Sequence, residues 1–324
     1  MGVAWGFLST ARINDKVLAG ARLSDRVDVV AVASRDRGRA EAWARSNGIE
    51  RAHGSYEALL EDPDVEAVYI SLPNSLHVQW SIRALEAGKH VLCEKPLGRS
   101  PGEVAAAFDA ADAAGRLLSE GFMYRHHPQA ARLAGLVRDG AIGRLGLVRA
   151  TFSFALADPG NVRLSGVLDG GGLMDVGCYC VSGARLLAGE PERVHAEQVL
   201  GGEGVDVRMV ATMRFPGDVL ASFDCGLAHT ERDELEAVGD EGSLFLDDPW
   251  HCVEPVIELR RDGGVERIEI ERANPYRLEL ENLSDAIRGE AEPLLGRADA
   301  LGQARALEAL HRSAEGGHAL ALGA

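Results

Sequence analysis

Two rhythms of hydrophobic positions divide this chain. Over roughly the first third, apolar runs at residues 3–7, 27–33, 67–70, 90–93 and 117–122 are continuous rather than alternating, the pattern of strands covered on both faces. Between them, apolar residues recur at three- and four-residue spacing, as in Ile82 and Leu85 or Ala106, Ala110 and Ala113, which predicts helices. Strand, helix and strand in repetition predict a parallel, doubly wound sheet with right-handed crossovers. Past residue 122 the rhythm changes. A helix near 128–139 ends at Gly140, and a long strand over 146–157 opens a series of strand patterns at 194–200, 207–215, 219–227, 235–238, 243–246, 256–260 and 265–270. Turns such as Phe215-Pro216-Gly217-Asp218 separate them, which predicts a mostly antiparallel sheet. Helices near 276–288 and 298–315 close the chain. The expected fold class is α/β: a doubly wound domain over 1–122, then an α+β domain over 123–324 built on a large, open sheet.

Composition agrees with this division. A chain of 324 residues is long for one core and suggests two domains. Hydrophobic residues make up 46% and charged ones 26%, the balance of a globular enzyme. The formal charge of −16, with no lysine/arginine-rich run, argues against nucleic acid as a partner. No secretory leader and no membrane-length apolar run is visible, so a cytoplasmic location is expected. The five cysteines, Cys93, Cys178, Cys180, Cys225 and Cys252, have no framework spacing. They read as buried packing residues in a reducing compartment.

The first candidate chemistry is at Glu94-Lys95-Pro96. Pro96 cannot continue a sheet ladder, so the strand stops there and Lys95 reaches the carboxyl edge, where open α/β sheets bind ligands. The loop Gly6-Phe7-Leu8-Ser9-Thr10-Ala11 lies between the first strand and a helix, the context of a dinucleotide fingerprint, with Ser9 and Ala11 in place of the second and third glycines. The Ser9 hydroxyl is expected to compensate by donating to a phosphate. After the second strand, Ser34-Arg35-Asp36 presents a hydroxyl and a guanidinium. Arg35 suits the 2′-phosphate of NADP, and Asp36 keeps NAD open as the lesser option.

Further along stand Leu72-Pro73-Asn74 followed by His77, and Gly170-Gly171-Gly172-Leu173-Met174-Asp175-Val176-Gly177-Cys178-Tyr179. In this order and spacing, the chain resembles the glucose-fructose oxidoreductase and inositol dehydrogenase (Gfo/Idh/MocA) family over essentially its whole length. The tyrosine at 179, where many members have histidine, resembles the branch of NADP-dependent sugar and dihydrodiol dehydrogenases. The resemblance implies a Rossmann domain, a second domain on a large antiparallel sheet, and NAD(P)-linked oxidation or reduction of sugars or related alcohols. It places Pro73 and Asn74 against the nicotinamide, and Glu94 and Lys95 beside the ribose and the substrate. His77 is expected to cap or pack near the cofactor. Tyr124 and Arg125 are expected to face the substrate cleft.

If the glycine run leads into a helix, Asp175 and Tyr179 share a face. A tyrosine titrates near pH ~10 and needs a nearby positive charge to work at neutral pH. Lys95 is the expected source, with Tyr179 as general acid/base and Asp175 as substrate-hydroxyl acceptor, anchor for Lys95 or helix N-terminal charge. Asp158, Asn161, Arg163 and Asp169 form a polar segment suited to a polyol. His126 and His127 lack a third ligand at metal spacing, so no metal is expected. A non-catalytic dinucleotide sensor and a ketoreductase of a nucleotide-linked sugar remain the alternatives. A sheet with one uncovered face suggests a homodimer or homotetramer.

Overall fold

The computed structural model describes residues 2–323 and divides into two compact units. In the first, the continuous apolar runs become parallel strands β1 (Val3–Leu8), β2 (Val27–Ala33), β3 (Arg51–His53), β4 (Ala67–Ile70), β5 (His90–Glu94) and β6 (Leu118–Gly121), in the order β3-β2-β1-β4-β5-β6. β3, only three residues long, carries no apolar run and was not expected. The connecting helices are α1 (Ile13–Ala21), α2 (Arg37–Asn47), α3 (Tyr56–Leu60), α4 (His77–Glu86) and α5 (Pro101–Ala114). Local chemistry sets their ends. Asp36 and Ser55 cap α2 and α3, while Ser100 and Glu103 form a capping box on α5 ahead of its αL cap at Gly115.

The second unit begins with α6 (Pro128–Arg138) and the eleven-residue strand β7 (Leu145–Ala155), then a π-helical turn (Leu173–Gly177) running into α7 (Cys178–Ala188). Strands β8 (Arg193–Leu200), β9 (Asp206–Arg214), β10 (Leu220–Gly226), β11 (Ala228–Gly239), β12 (Ser243–Leu246), β13 (Val256–Arg261) and β14 (Gly264–Glu269) follow. With the short β15 (Leu320–Ala321) they form a nine-stranded sheet in the order β14-β13-β12-β11-β7-β10-β9-β8-β15. All pairs are antiparallel except β7 with β10, which run parallel because β10 arrives beside β7 only after α7 and two intervening strands. Burial alternates strictly: Met209, Ala211 and Met213 of β9 are buried, whereas Arg208, Val210 and Thr212 are exposed. α7 packs on β7 and β10 from the buried side. The opposite face carries Arg149, Thr151, Asp224, Arg232, Glu236 and Arg260, which line a cavity of about 450 Å³.

A single cut between residues 122 and 123 does not describe the two units. The first unit reaches His126 and takes back residues 274–301. These include α8 (Pro275–Ile287), capped by Asn274, whose Leu280 and Leu283 join Trp5, Phe7, Tyr69 and Leu92 in one core, with Trp5 Nε1 donating to Ser284 Oγ at 3.2 Å. An amphipathic helix signals its buried stripe, but not which sheet receives it. The division falls inside α9 (Arg297–Gly316).

Candidate functional site

In the first unit, strand order reverses between β1 and β4, which opens the crevice where this topology receives ligands. β1 runs through Leu8, so the phosphate turn begins at Ser9, later than the glycine spacing suggests. Gly6 lies within the strand and serves packing: a Cβ there would sit 2.8 Å from Leu59 Cδ2. Nor does the Ser9 hydroxyl point to a phosphate. It lies 2.7 Å from Ser71 Oγ and accepts the Ala11 N–H at 3.0 Å, while Ser71 Oγ donates to Asn14 Oδ1 and Asn14 Nδ2 to Ser9 O. This buried polar brace fixes the turn, and Leu8, Thr10 and Ala11 follow its course toward the N-terminus of α1. The first turn of α1 is closed on the same loop, with Asn14 N–H donating to Ala11 O and Asp15 N–H to Arg12 O. Asn14 is fully buried in a helix otherwise apolar on that side, the one local signal that would have revealed it.

At the end of β2, Asp36 is engaged as the α2 cap, its carboxylate accepting the Arg39 N–H at 3.0 Å. Ser34 Oγ accepts from Asp36 N. Arg35 hydrogen-bonds the Tyr56 phenol and, with Arg39, opposes the upward pull of burial on its pKa. Two guanidiniums with the acidic residue committed elsewhere fit a 2′-phosphate better than a bare ribose.

The ends of β4 and β5 form the rest of the cradle. Leu72, Pro73 and Asn74 lead into a one-turn 3₁₀ helix, Asn74–Leu76. His77 is 1% exposed and lies 2.8 Å from both Pro96 O and Leu72 O, so it clamps the two loops rather than meeting the cofactor. Burial, first, and then Lys95 hold its pKa down. Lys95 precedes Pro96 across a cis peptide bond. The Tyr69 phenol donates to Glu94 Oε1 at 2.6 Å. Behind them, Glu279 of α8 is 2% exposed, and burial, reinforced by Glu94, raises its pKa well above the carboxylate range. Tyr69 and Glu279 were invisible to motif reading, since one lies inside an apolar run and the other in an ordinary charged stretch of helix. Tyr124 is buried with its ring edge-on to Phe122, and Arg125 pairs with Asp299 at 3.4 Å.

In the second unit the glycine run is forced by crowding. Gly171 has φ 114°, and a Cβ on it would strike Asp206 Oδ1; one on Gly170 would strike Arg163 O. Asp206, 2% exposed and unsuspected from sequence, accepts the Leu173 N–H at 2.7 Å and anchors the start of the π turn. That turn, where a simple helix was expected, puts Asp175 and Tyr179 about one turn apart across the junction with α7; such turns recur at functional sites. Arg163 Nε donates to Asp175 Oδ2 at 2.6 Å, joining two of the predicted residues. Asn161 Oδ1 accepts the Arg163 N–H at 3.1 Å and caps a short turn. Tyr179 is 7% exposed, its ring 5.4 Å from Phe152 and 5.9 Å from Trp250.

All five cysteines are buried and none is in a disulfide, and burial raises the Cys180 and Cys225 thiols well above their ordinary range. His126 is held down to about pH 3 by burial, and His127 caps α6. A different group, Asp233, Asp248 and His251, has metal-ligand geometry, but Asp248 already accepts four backbone N–H groups, from His251 to Glu254. Among the described residues no helix is long and apolar enough to cross a membrane.

Comparison with known proteins agrees with this architecture. The chain matches the oxidoreductase family with NAD-binding Rossmann fold over residues 5–122 and the GFO/IDH/MocA C-terminal domain over 130–245. It is 38% identical to a D-xylose 1-dehydrogenase (NADP(+)) of Haloferax volcanii over 98% of this chain and 99% of that one. Among solved structures, a 3-ketoreductase from Actinomadura kijaniata in complex with NADP and TDP-benzene superposes with a TM-score of 0.91 at 30% identity, covering 97% and 98% of the two chains. An aldose-aldose oxidoreductase from Caulobacter crescentus gives 0.92 at 27% identity, covering 99% and 100%. The chain therefore belongs to the Gfo/Idh/MocA family of NAD(P)-dependent oxidoreductases.

Proposed function

We propose that this oxidoreductase is an NADP-linked dehydrogenase or reductase of a sugar, polyol or related alcohol, with Tyr179 as general acid/base, Lys95 as the cation that favours its ionised form, and Asp175 as a substrate-hydroxyl acceptor. One coincidence of spacing carries this reading. Two further solved structures of the A. kijaniata ketoreductase carry a tyrosine-to-phenylalanine and a lysine-to-alanine change. That lysine and tyrosine stand as many residues apart as Lys95 and Tyr179 do.

Bound nicotinamide supplies the hydride acceptor or donor at C4. The chain's part is to hold the carbinol and move its proton. Tyr179 takes the hydroxyl proton in oxidation and returns it in reduction, which requires a positive charge to bring a phenol with a usual pKa near ~10 into range. Asn161, Arg163, Tyr124 and Arg125 are the proposed substrate contacts. Arg35 with Arg39 favours NADP, in keeping with the cofactor named for the H. volcanii relative. Five cysteines without a disulfide fit a reducing compartment such as the cytoplasm. A homodimer or homotetramer is proposed, and a monomer on sedimentation would overturn it.

Reduction of a keto group on a nucleotide-linked sugar is the second reading, favoured by the TDP-benzene complex of the ketoreductase. Against it, Arg163 and Arg125 are each paired with a carboxylate, which leaves little cationic surface for a diphosphate. The test is to follow reduced-nicotinamide absorbance with NADP or NAD and a panel of aldoses, polyols and diols, then repeat it with Tyr179→Phe. The expected result is turnover that falls by about 10²-fold or more while NADP affinity is kept. Near-normal turnover in the variant would refute the role, and no turnover with any pair would favour a dinucleotide sensor.

A further inference from the structure

The loop between β12 and β13 is built more rigidly than a surface connection requires. One carboxylate, Asp248, accepts the backbone N–H groups of His251, Cys252, Val253 and Glu254, which fixes four successive residues. Trp250 is driven fully into the core, its Nε1 donating to Thr151 O at 3.2 Å. The next side chain, His251, stays outside: 38% exposed, yet held from three directions. Its Nδ1 is 2.6 Å from Asp233 Oδ2, on a carboxylate only 14% exposed. Its ring meets Phe152 edge-on at 5.5 Å and 83°. Asp248 Oδ1 lies 3.9 Å from Nδ1. A carboxylate accepting from Nδ1 orients the ring and favours the tautomer with its proton on Nδ1.

The location gives this arrangement its meaning. Phe152 touches both His251 and Tyr179, at 5.5 and 5.4 Å between ring centroids, so the imidazole and the proposed catalytic phenol flank one aromatic ring. Trp250, the immediate neighbour of His251, also packs on Tyr179, at 5.9 Å. An oriented, partly exposed imidazole that shares an aromatic neighbour with the proposed catalytic phenol is a preorganised hydrogen-bonding group.

We propose that His251, oriented by Asp233, is a specificity-determining residue that hydrogen-bonds a second hydroxyl of the substrate whose reacting carbinol meets Tyr179. The inference rests on the dehydrogenase reading and narrows it to substrates with two or more hydroxyls. A simple alcohol reaches Tyr179 without engaging His251. A sugar or diol engages both.

The test uses the full-length protein with NADP and three probes: D-xylose, trans-cyclohexane-1,2-diol and cyclohexanol. His251→Phe keeps the ring contact with Phe152 and deletes both nitrogens, His251→Gln restores a polar end, and Asp233→Asn loosens the ring. Loss of one substrate hydrogen bond predicts that His251→Phe raises KM for the two polyhydroxylated probes about tenfold relative to cyclohexanol, with kcat changed far less. His251→Gln should recover part of the preference, and Asp233→Asn should lose an intermediate amount. Calorimetric binding of D-xylose to the NADPH-loaded protein reads the same contact without turnover. An unchanged preference in a turning-over His251→Phe enzyme overturns this inference alone, as does an equal loss on all three probes, which would make the pair a support for Tyr179. Wild-type protein that neither turns over nor binds any probe overturns the dehydrogenase reading together with it.

Discussion

The two sheets of this protein solve opposite burial problems. In the parallel sheet, neighbouring residues of one strand are both hidden: Phe7 and Leu8 of β1 are each 0% exposed. In the nine-stranded sheet, neighbours have opposite fates: Met209 of β9 is 1% exposed and Val210 59%. Helices cover both faces of the first and only one face of the second, so a run of apolar residues means a strand in one place and alternation means a strand in the other. The uncovered face keeps its charges paired, with Arg232 2.6 Å from Asp224 and Arg260 2.8 Å from Glu258. Function divides the same way. In the proposed function the parallel sheet offers backbone ends and a lysine to a dinucleotide, whereas the second unit holds an aromatic and polar set around Tyr179.

The sharpest way to break this contrast is a pair of truncations in each sheet. Phe7→Ala and Leu8→Ala should each cost about 2–5 kcal/mol in urea unfolding, because both create a cavity. Met209→Ala should cost a similar amount, but Val210→Ala under about 0.5 kcal/mol. Equal losses at 209 and 210 would mean that both faces of the open sheet are covered in solution.

The next effect belongs to Glu279, buried under the parallel sheet with no hydrogen-bond partner for Oε1 among the described residues. Burial, then Glu94, raises its pKa in the folded state, so the folded protein holds a proton that the unfolded chain releases above about pH 4.5. Stability from this group is therefore complete below that pH and is lost as pH climbs toward the raised folded value, at about 1.4 kcal/mol per pH unit for one proton. Glu279→Gln should remove that slope from stability measured as pH is raised from about 4.5. A slope that persists would assign it to another group.

Arg35→Ala should weaken NADP about tenfold in fluorescence titration and leave NAD nearly unchanged, which sharpens the role of the parallel sheet's edge. The smallest expected effect is on the open face. Arg149, 3.6 Å from Glu236 and largely solvated, should yield less than about 0.5 kcal/mol of stability when changed to Ala. A marked drop in the sedimentation coefficient of that variant would instead place it in a subunit interface.

Much of this was legible from the chain. Apart from the short β3 and β15, the strands of both sheets follow from the two hydrophobic periods, and Lys95, Asp175 and Tyr179 stand out by their motifs. What escaped were residues whose partners lie far off in sequence. Ser71 and Asn14 brace the Ser9 turn, Asp206 anchors the π turn from a strand more than thirty residues on, and Asp233 orients His251. Ser9 illustrates the limit well: its type suggested a phosphate donor, and its neighbours had already taken the hydroxyl.

Sequence alone determined which segments form strands or helices and which faces are apolar, because those properties depend on residues two to four positions apart. Only the tertiary structure decided that α8 returns to the first core, that β10 lies parallel to β7, and that Arg163 reaches Asp175. Those outcomes depend on which buried surfaces and charges find each other once the chain has folded back on itself, and no local pattern encodes the partner.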